Sequence, residues 1–235
     1  MSRQTAEGNG CLSGFLIPPL AVLCVSALLV MFVGAFSSAP SSSASLPAVS
    51  TDNSSIATPT FQAAPVVNGD GKIAPMFTPE VQYWAANIAR WAAEHGIDPN
   101  LAATVMQIES CGHPDVRSSA GAIGLFQVMP FHFKRGENGT DPNTNALRGM
   151  DYLRRSLQAA QGDTRLALAG YNGGIGVISR AEAYWPSETK RYVYWGAMYN
   201  DAVQNASQSS RLDEWRRVSG NGLCNRAARR LGIGP

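Results

Sequence analysis

Apolar positions along this chain fall into three regimes, and each predicts a different kind of segment. From Leu12 to Phe36 they run together, 25 residues without a charge and rich in Leu, Val, Ala and Phe, long enough to cross a bilayer core of about 30 Å. From Ser37 to Phe77 they thin out among Ser, Ala, Pro, Thr and Gly, with few aromatics and few charges. Such a composition cannot bury enough surface to offset the entropy of ordering, so 37–77 is expected to be a disordered linker. From Thr78 onward apolar residues recur at helical spacing. Thr78-Pro79-Glu80 has the cap, first-turn proline and early acid of a helix start, and Val81, Trp84, Ala85, Ile88, Ala89 and Ala92 form a stripe that Gly96 closes. Asp98 and Pro99 open a second helix, with Leu101, Val105 and Ile108 as its core stripe. Asp141-Pro142 opens a third, carrying Leu147, Met150, Leu153 and Leu157. Asp163 caps a short one through Leu166, Leu168 and Ala169, and a last long helix starts near Ser187. No run alternates as a strand does, so the fold class is mainly α.

The N-terminal regime decides where the rest of the chain goes. A cleavable signal carries an apolar region of only about 7 to 15 residues, so 1–36 is expected to be a retained transmembrane anchor, with residues 12–36 in the membrane. Pro18-Pro19 can split that run, and Ser42-Ser43-Ala44 is compatible with cleavage, which leaves a cleaved signal and secretion as the alternative. Either way the remainder is exported: the linker, then a catalytic domain over 78–200, then a basic helical tail over 201–235. Its last segment, from Arg211 to Pro235, holds Arg211, Arg216, Arg217, Arg226, Arg229 and Arg230 against Asp213 and Glu214, whereas the whole chain is near balance at +2. Basic residues are scattered rather than interleaved with aromatics, which argues against nucleic acid. Anionic wall polymer or lipid headgroups suit the tail better.

The chemistry concentrates at one carboxylate. Glu109 falls in the last turn of the second helix, where the negative end of the helix dipole and apolar neighbours both push a carboxyl pKa upward. A raised carboxyl pKa is what a general acid needs near neutral pH. Position alone does not separate this from an ordinary solvated glutamate. Other constellations fall away. Asp141, Asn143, Asn145 and Gly149 begin like a calcium loop, but Ala146, Pro142 and Tyr152 stand where that loop needs other residues, so a helix cap is expected. His95, His113 and His132 lack metal spacing. Tyr171-Asn172-Gly173-Gly174-Ile175-Gly176 lacks the preceding strand and the lysine of a phosphate loop. No metal or cofactor is expected.

The wider pattern around Glu109 separates the two readings. Glu109-Ser110, Pro114, Ser118, Gly121-Ala122, Gly124-Leu125, Gln127 and Met129-Pro130 together resemble the first signature of the soluble lytic transglycosylase (SLT) family, which has a goose-type lysozyme-like fold. Asp141-Pro142, Asn145, Gly149 and Tyr152-Leu153 resemble its second signature, and Ala167-Leu168-Ala169 with Tyr171-Asn172-Gly173-Gly174 its third. Glu188-Thr189 and Arg191-Tyr192-Val193 resemble its late segment, so the likeness runs from Thr78 to Asn200.

The resemblance implies cleavage of peptidoglycan glycan strands between N-acetylmuramic acid and N-acetylglucosamine. Glu109 would act first as acid on the glycosidic oxygen and then as base on the sugar's own 6-hydroxyl, leaving a 1,6-anhydro end. It implies that Ser118 and Gln127 contact the amino sugar, that Met129 lines the cleft, that Tyr171 points into it beside Asn172, and that Glu188 is a supporting polar group. Gly170 and Phe126 stand where many members have alanine and methionine. Two rivals remain at this point: a lysozyme-like hydrolase, and a non-catalytic wall-docked part of a secretion, conjugation or phage apparatus. Finally, Cys111 and Cys224 are the only cysteines outside the apolar N-terminal region. In an exported domain they are expected to be bonded, clamping the tail beside Glu109, the alternative being a buried Cys111 and an unpaired Cys224.

Overall fold

Aspartate and proline set where the helices begin. Asp98, Asp141 and Asp163 accept from the backbone N–H groups of Asn100, Thr144 and Leu166 at 2.7, 2.8 and 2.9 Å, satisfying donors that a helix start leaves unpaired. Pro99 and Pro142 take the first helical position, where the missing N–H costs nothing. The computed structural model describes residues 72–234, so the anchor or signal segment and the linker up to residue 71 lie outside it. The helices are α1 Pro79–Gln82, α2 Ala85–His95, α3 Pro99–Glu109, α4 Pro142–Ala159, α5 Thr164–Gly173, α6 Ser187–Gly196, α7 Tyr199–Val203, α8 Ser210–Trp215 and α9 Asn221–Leu231, with a π-helical turn at Arg216–Gly220. Among the described residues there is no strand, only isolated bridges joining Arg117 to Ile123 and Ile123 to Val128. None of their helices is long and apolar enough to cross a membrane.

α3 is the central element. Every residue from Leu101 to Gln107 is buried, as a helix surrounded by others must be. Ile88 and Trp91 of α2, Met150 and Leu153 of α4, Leu168 of α5, and Val193 and Trp195 of α6 pack into the same core, together with Leu125 and Phe126 from the long loop after α3.

Four expectations change. The helix expected over 78–95 is two, because the Trp84 indole N–H donates to the Gly112 carbonyl at 2.8 Å and the Trp84 backbone N–H bonds tightly back to Val81 at 3.0 Å. Gly112 permits that approach: it has φ +78°, and a Cβ there would lie 2.6 Å from the Glu80 carbonyl oxygen. Leu147 is not core but 42% exposed, since α4 turns Asn145, Ala146, Gly149, Met150 and Leu153 inward. The last long helix is broken at Ala197-Met198 into α6 and α7, and α8 and α9 bury Leu212, Trp215 and Cys224 in the common core, so Asn200 marks no spatial boundary.

The fourth change is the linker's end. Ile73, Ala74, Met76 and Phe77 are buried, with the Ala74 N–H held by Asn100 Oδ1 at 2.7 Å and the Thr78 N–H by Gln107 Oε1 at 3.2 Å. The low-complexity composition continues to Phe77, but these apolar side chains join the common core, with the backbone tied to Asn100 and Gln107 of α3. A chain begun at Lys72 should therefore be distinctly more stable than one begun at Thr78, since each fully buried side chain of this size contributes about 1.5–3 kcal/mol. Urea denaturation of the two chains checks this; equal midpoints would return 73–77 to the linker.

Candidate active site

α3 ends at Glu109, and its exit loop is folded back beneath it. The Ser110 hydroxyl donates to the Leu125 carbonyl at 2.7 Å and accepts from the Gly112 N–H at 3.1 Å. Cys111, at φ +50°, is bonded to Cys224 of α9, and Gln107 Nε2 donates to its sulfur at 3.2 Å. Glu109 is half-buried. Burial is the main cause that pushes its carboxyl pKa up to about 8; the Tyr192 hydroxyl acts against the shift, and the charge of exposed Glu188 on α6 adds to it.

Two tyrosines complete this electrostatic cluster. Burial holds both Tyr171 and Tyr192 well above the usual phenol range, and the Glu109 charge pushes each further. Their hydroxyls differ in availability. Tyr171 donates to the Phe126 carbonyl at 2.7 Å and so offers the cleft its ring. The Tyr192 hydroxyl is buried without a settled partner and faces Glu109, where a carboxylate can receive it.

The facing wall is the loop 121–130, pinned by one buried side chain. Asn145 Oδ1 accepts from the Phe126 N–H at 2.9 Å, while its Nδ2 donates to the carbonyls of Ile123 at 2.7 Å and Gly139 at 2.8 Å. Gly149 lets α4 come against that loop, since a Cβ there would lie 2.5 Å from Phe126 Cβ. Gln127, at φ +45°, spends its amide on the carbonyls of Val116 and Gly124 at 3.2 and 3.0 Å. Asn172 Oδ1 accepts from Thr189 Oγ1 at 2.9 Å. The result is an open groove of about 260 Å³ lined by Gln127, Met129, His132, Tyr152, Tyr171 and Asn172 among others. Tyr152 is its centre, with ring centroids 4.7 Å from His132 and 5.6 Å from Tyr171. Burial, and then Arg155, lower the His132 pKa, which favours a neutral ring there. Broad aromatic faces with polar tips suit a ligand that is apolar on its faces and hydroxylated at its edges.

Of the residues expected from sequence, Gln127, Met129, Tyr171 and Asn172 share this groove, and Tyr171 and Glu188 are electrostatically coupled to Glu109. Ser118 is not among the residues lining this groove; its hydroxyl accepts from the Ala122 N–H at 3.0 Å and its backbone N–H donates to the Ala122 carbonyl at 3.0 Å. Cys111 and Cys224 are joined as expected, with Cα atoms 5.1 Å apart. Tyr152, His132 and Tyr192 were not singled out from sequence, although Tyr152 and Tyr192 stand inside the segments that carry the resemblance. Among the described residues, Glu80, Cys111 and Cys224 bring three possible metal-ligand atoms together, but both sulfurs are committed to the disulfide.

A family model described as Transglycosylase SLT domain matches residues 86–193. A transglycosylase of Enterobacteria phage PRD1 is 38% identical over 111 residues, covering 46% of this chain and 40% of that protein. A membrane-bound lytic murein transglycosylase C of Actinobacillus succinogenes is 32% identical over 121 residues, covering 43% of this chain and 34% of that protein. The chain thus spans well under half the length of these curated relatives. The solved structure of a 70-kDa soluble lytic transglycosylase with bulgecin A overlaps at TM-score 0.45 and 23% identity, covering 55% of this chain and 27% of that one. The segment matched by the Transglycosylase SLT domain model, residues 86–193, contains Glu109 at the end of its buried helix and the three segments that line the groove, and over this part the chain is similar to that family.

Proposed function

We propose that this protein is a peptidoglycan lytic transglycosylase that cuts glycan strands between N-acetylmuramic acid and N-acetylglucosamine. The observation that carries the reading is Glu109, a carboxyl with its pKa raised to about 8 and electrostatically coupled to Tyr171, which lines the open groove. At neutral pH it holds a proton to give. Glu109 protonates the glycosidic oxygen, the bond from that oxygen to C1 breaks, and an oxocarbenium-like centre develops on the muramic sugar. Glu109, now a carboxylate, takes the proton of that sugar's 6-hydroxyl, whose oxygen bonds to C1 and closes the 1,6-anhydro ring. Between the two transfers the Tyr192 hydroxyl, which faces Glu109, can donate to the carboxylate, and Glu188 favours its reprotonation. A two-carboxylate hydrolase would instead use a second acid to deliver water.

Digestion of purified sacculi followed by mass spectrometry tests this, because the anhydro end is lighter than a hydrolysed reducing end by one water. Products at the hydrolysed mass would replace the transglycosylase reading with the lysozyme-like one. The pH dependence follows from the same proton. The free enzyme must enter protonated, so kcat/KM should fall as pH rises through about 8. A rate unchanged across that value removes the Glu109 proton from the mechanism.

The relatives named as membrane-bound, and the uncharged run 12–36, support placement at the cell membrane with the domain on the wall side, tethered by the residues before Lys72. Cell fractionation checks it: a shortened chain wholly in the soluble exported fraction would favour cleavage.

A further inference from the structure

A second concave site lies on the far side of α6 from Glu109. Thr189 and Tyr192 face the active-site cluster, while Lys190, Val193 and Ala197 line a groove of about 350 Å³ closed by the first turn of α5, by α7 and by Arg211 of α8. Its wall from Gly196 to Arg211 lies beyond the segment matched by the SLT family, so this chain's own C-terminal helices build it.

The groove is cationic. Arg165, Lys190 and Arg211 line it against a single acid, Glu182, which is already paired with Arg165. Lys190 Nζ is occupied by the Ala183 carbonyl at 2.8 Å. Arg211 is different. Its guanidinium stacks on Tyr194 with Cζ 4.0 Å from the ring centroid, Tyr194 is itself held by Glu214 at 2.8 Å, and Arg211 Nη1 is buried with no hydrogen-bond partner. Stacking uses the face of a guanidinium and leaves its edge, where the N–H groups lie, for an in-plane acceptor. A buried charged donor without an acceptor is costly, and a carboxylate arriving edge-on is its natural partner. The other walls narrow the class. Asn200 offers both a donor and an acceptor, as a peptide unit requires, and Leu168 and Val193 form an apolar floor that a bare inorganic anion would leave unused.

We propose that this groove binds the free carboxyl end of a short peptide with small apolar side chains, the carboxylate on Arg211. The proposed function supplies the peptide's identity, the stem peptide that hangs from wall glycan; the groove's chemistry does not depend on it. Binding there would hold a peptide-bearing strand on the enzyme while its glycan lies across Glu109's side of α6.

The test titrates the full chain with N-acetyl-D-alanyl-D-alanine, with its C-terminal amide, and with inorganic phosphate, reading the Lys190 and Asn200 resonances by NMR. The acid should bind saturably, and the amide and phosphate more weakly by about tenfold or more, the scale of a hydrogen bond to a charged group. Arg211→Gln should weaken the acid by a similar factor while Glu109→Gln leaves it unchanged. Equal binding of acid and amide, phosphate matching the acid, or no saturable shift each overturns the proposal, and none of these needs a variant to fold. Loss of wall cleavage with peptide binding intact would count against the proposed function alone; cleavage without peptide binding would count against the groove alone.

Discussion

Glu109→Gln should leave purified sacculi intact. Glutamine keeps the shape of the side chain at the end of α3 but has no transferable proton, and both steps of the proposed cycle run through that one group. The loss should be at least the roughly 10²- to 10⁴-fold usual for a general acid, read as soluble muropeptide released per unit time. Near wild-type release would remove Glu109 from the mechanism. The same substitution makes a stability prediction of opposite sign. The Glu109 carboxyl is raised from 4.5 to about 8 in the fold, so between those values the native state holds a proton that the unfolded chain has released. Stability from this group is full below 4.5 and declines as pH rises towards 8. Glutamine carries no such dependence. Glu109→Gln should therefore gain thermal stability over wild type as pH climbs through that window. An inactive variant that is also unfolded would be uninformative about chemistry; an inactive one that is more stable at the alkaline end ties burial, proton and catalysis to one side chain.

Breaking the Cys111–Cys224 bond should have the largest effect on stability. The bond closes a sequence separation of 113 residues, and in the chain-entropy model a loop of that size stabilises the fold by about 4 to 5 kcal/mol. Its surroundings depend on it. Gln107 Nε2 donates to the Cys111 sulfur at 3.2 Å and the Thr78 hydroxyl lies 3.3 Å from it, both buried, so the link joins α3, the segment before α1 and α9 at one point. Cys111→Ala/Cys224→Ala should lower the urea midpoint steeply. It should lower activity less, because Ser110 still ties the exit loop to Leu125. Non-reducing peptide mapping of the full chain gives the direct check. Freely alkylated thiols, or identical midpoints for oxidised and reduced protein, would sink the clamp.

What was legible in the sequence was what short-range physics decides. The starts of α3, α4 and α5 follow from Asp98, Asp141 and Asp163, because a capping oxygen acts within three residues of itself. Glu109 could be placed in the last turn of α3 for the same reason, and the Asp141 cap displaced the calcium loop on local geometry alone. The pairing of Cys111 with Cys224 needed only the count of cysteines after the apolar N-terminal run and the expectation of an oxidising compartment. Tertiary structure decided the rest, through partners far apart in the chain. The break at Trp84 comes from an indole bond to Gly112, 28 residues on. Burial of Ile73, Ala74, Met76 and Phe77 comes from a core and from ties to Asn100 and Gln107 that lie more than twenty residues on. Leu147 faces outward because Asn145 is drawn inward to hold Ile123, Phe126 and Gly139, which rotates the buried stripe of α4. The partners of the Ser118 and Tyr192 hydroxyls were likewise set by packing. A hydroxyl's role depends on which carboxylate or backbone group the packed helices bring to it, and for Tyr192 that group is Glu109, 83 residues earlier in the chain.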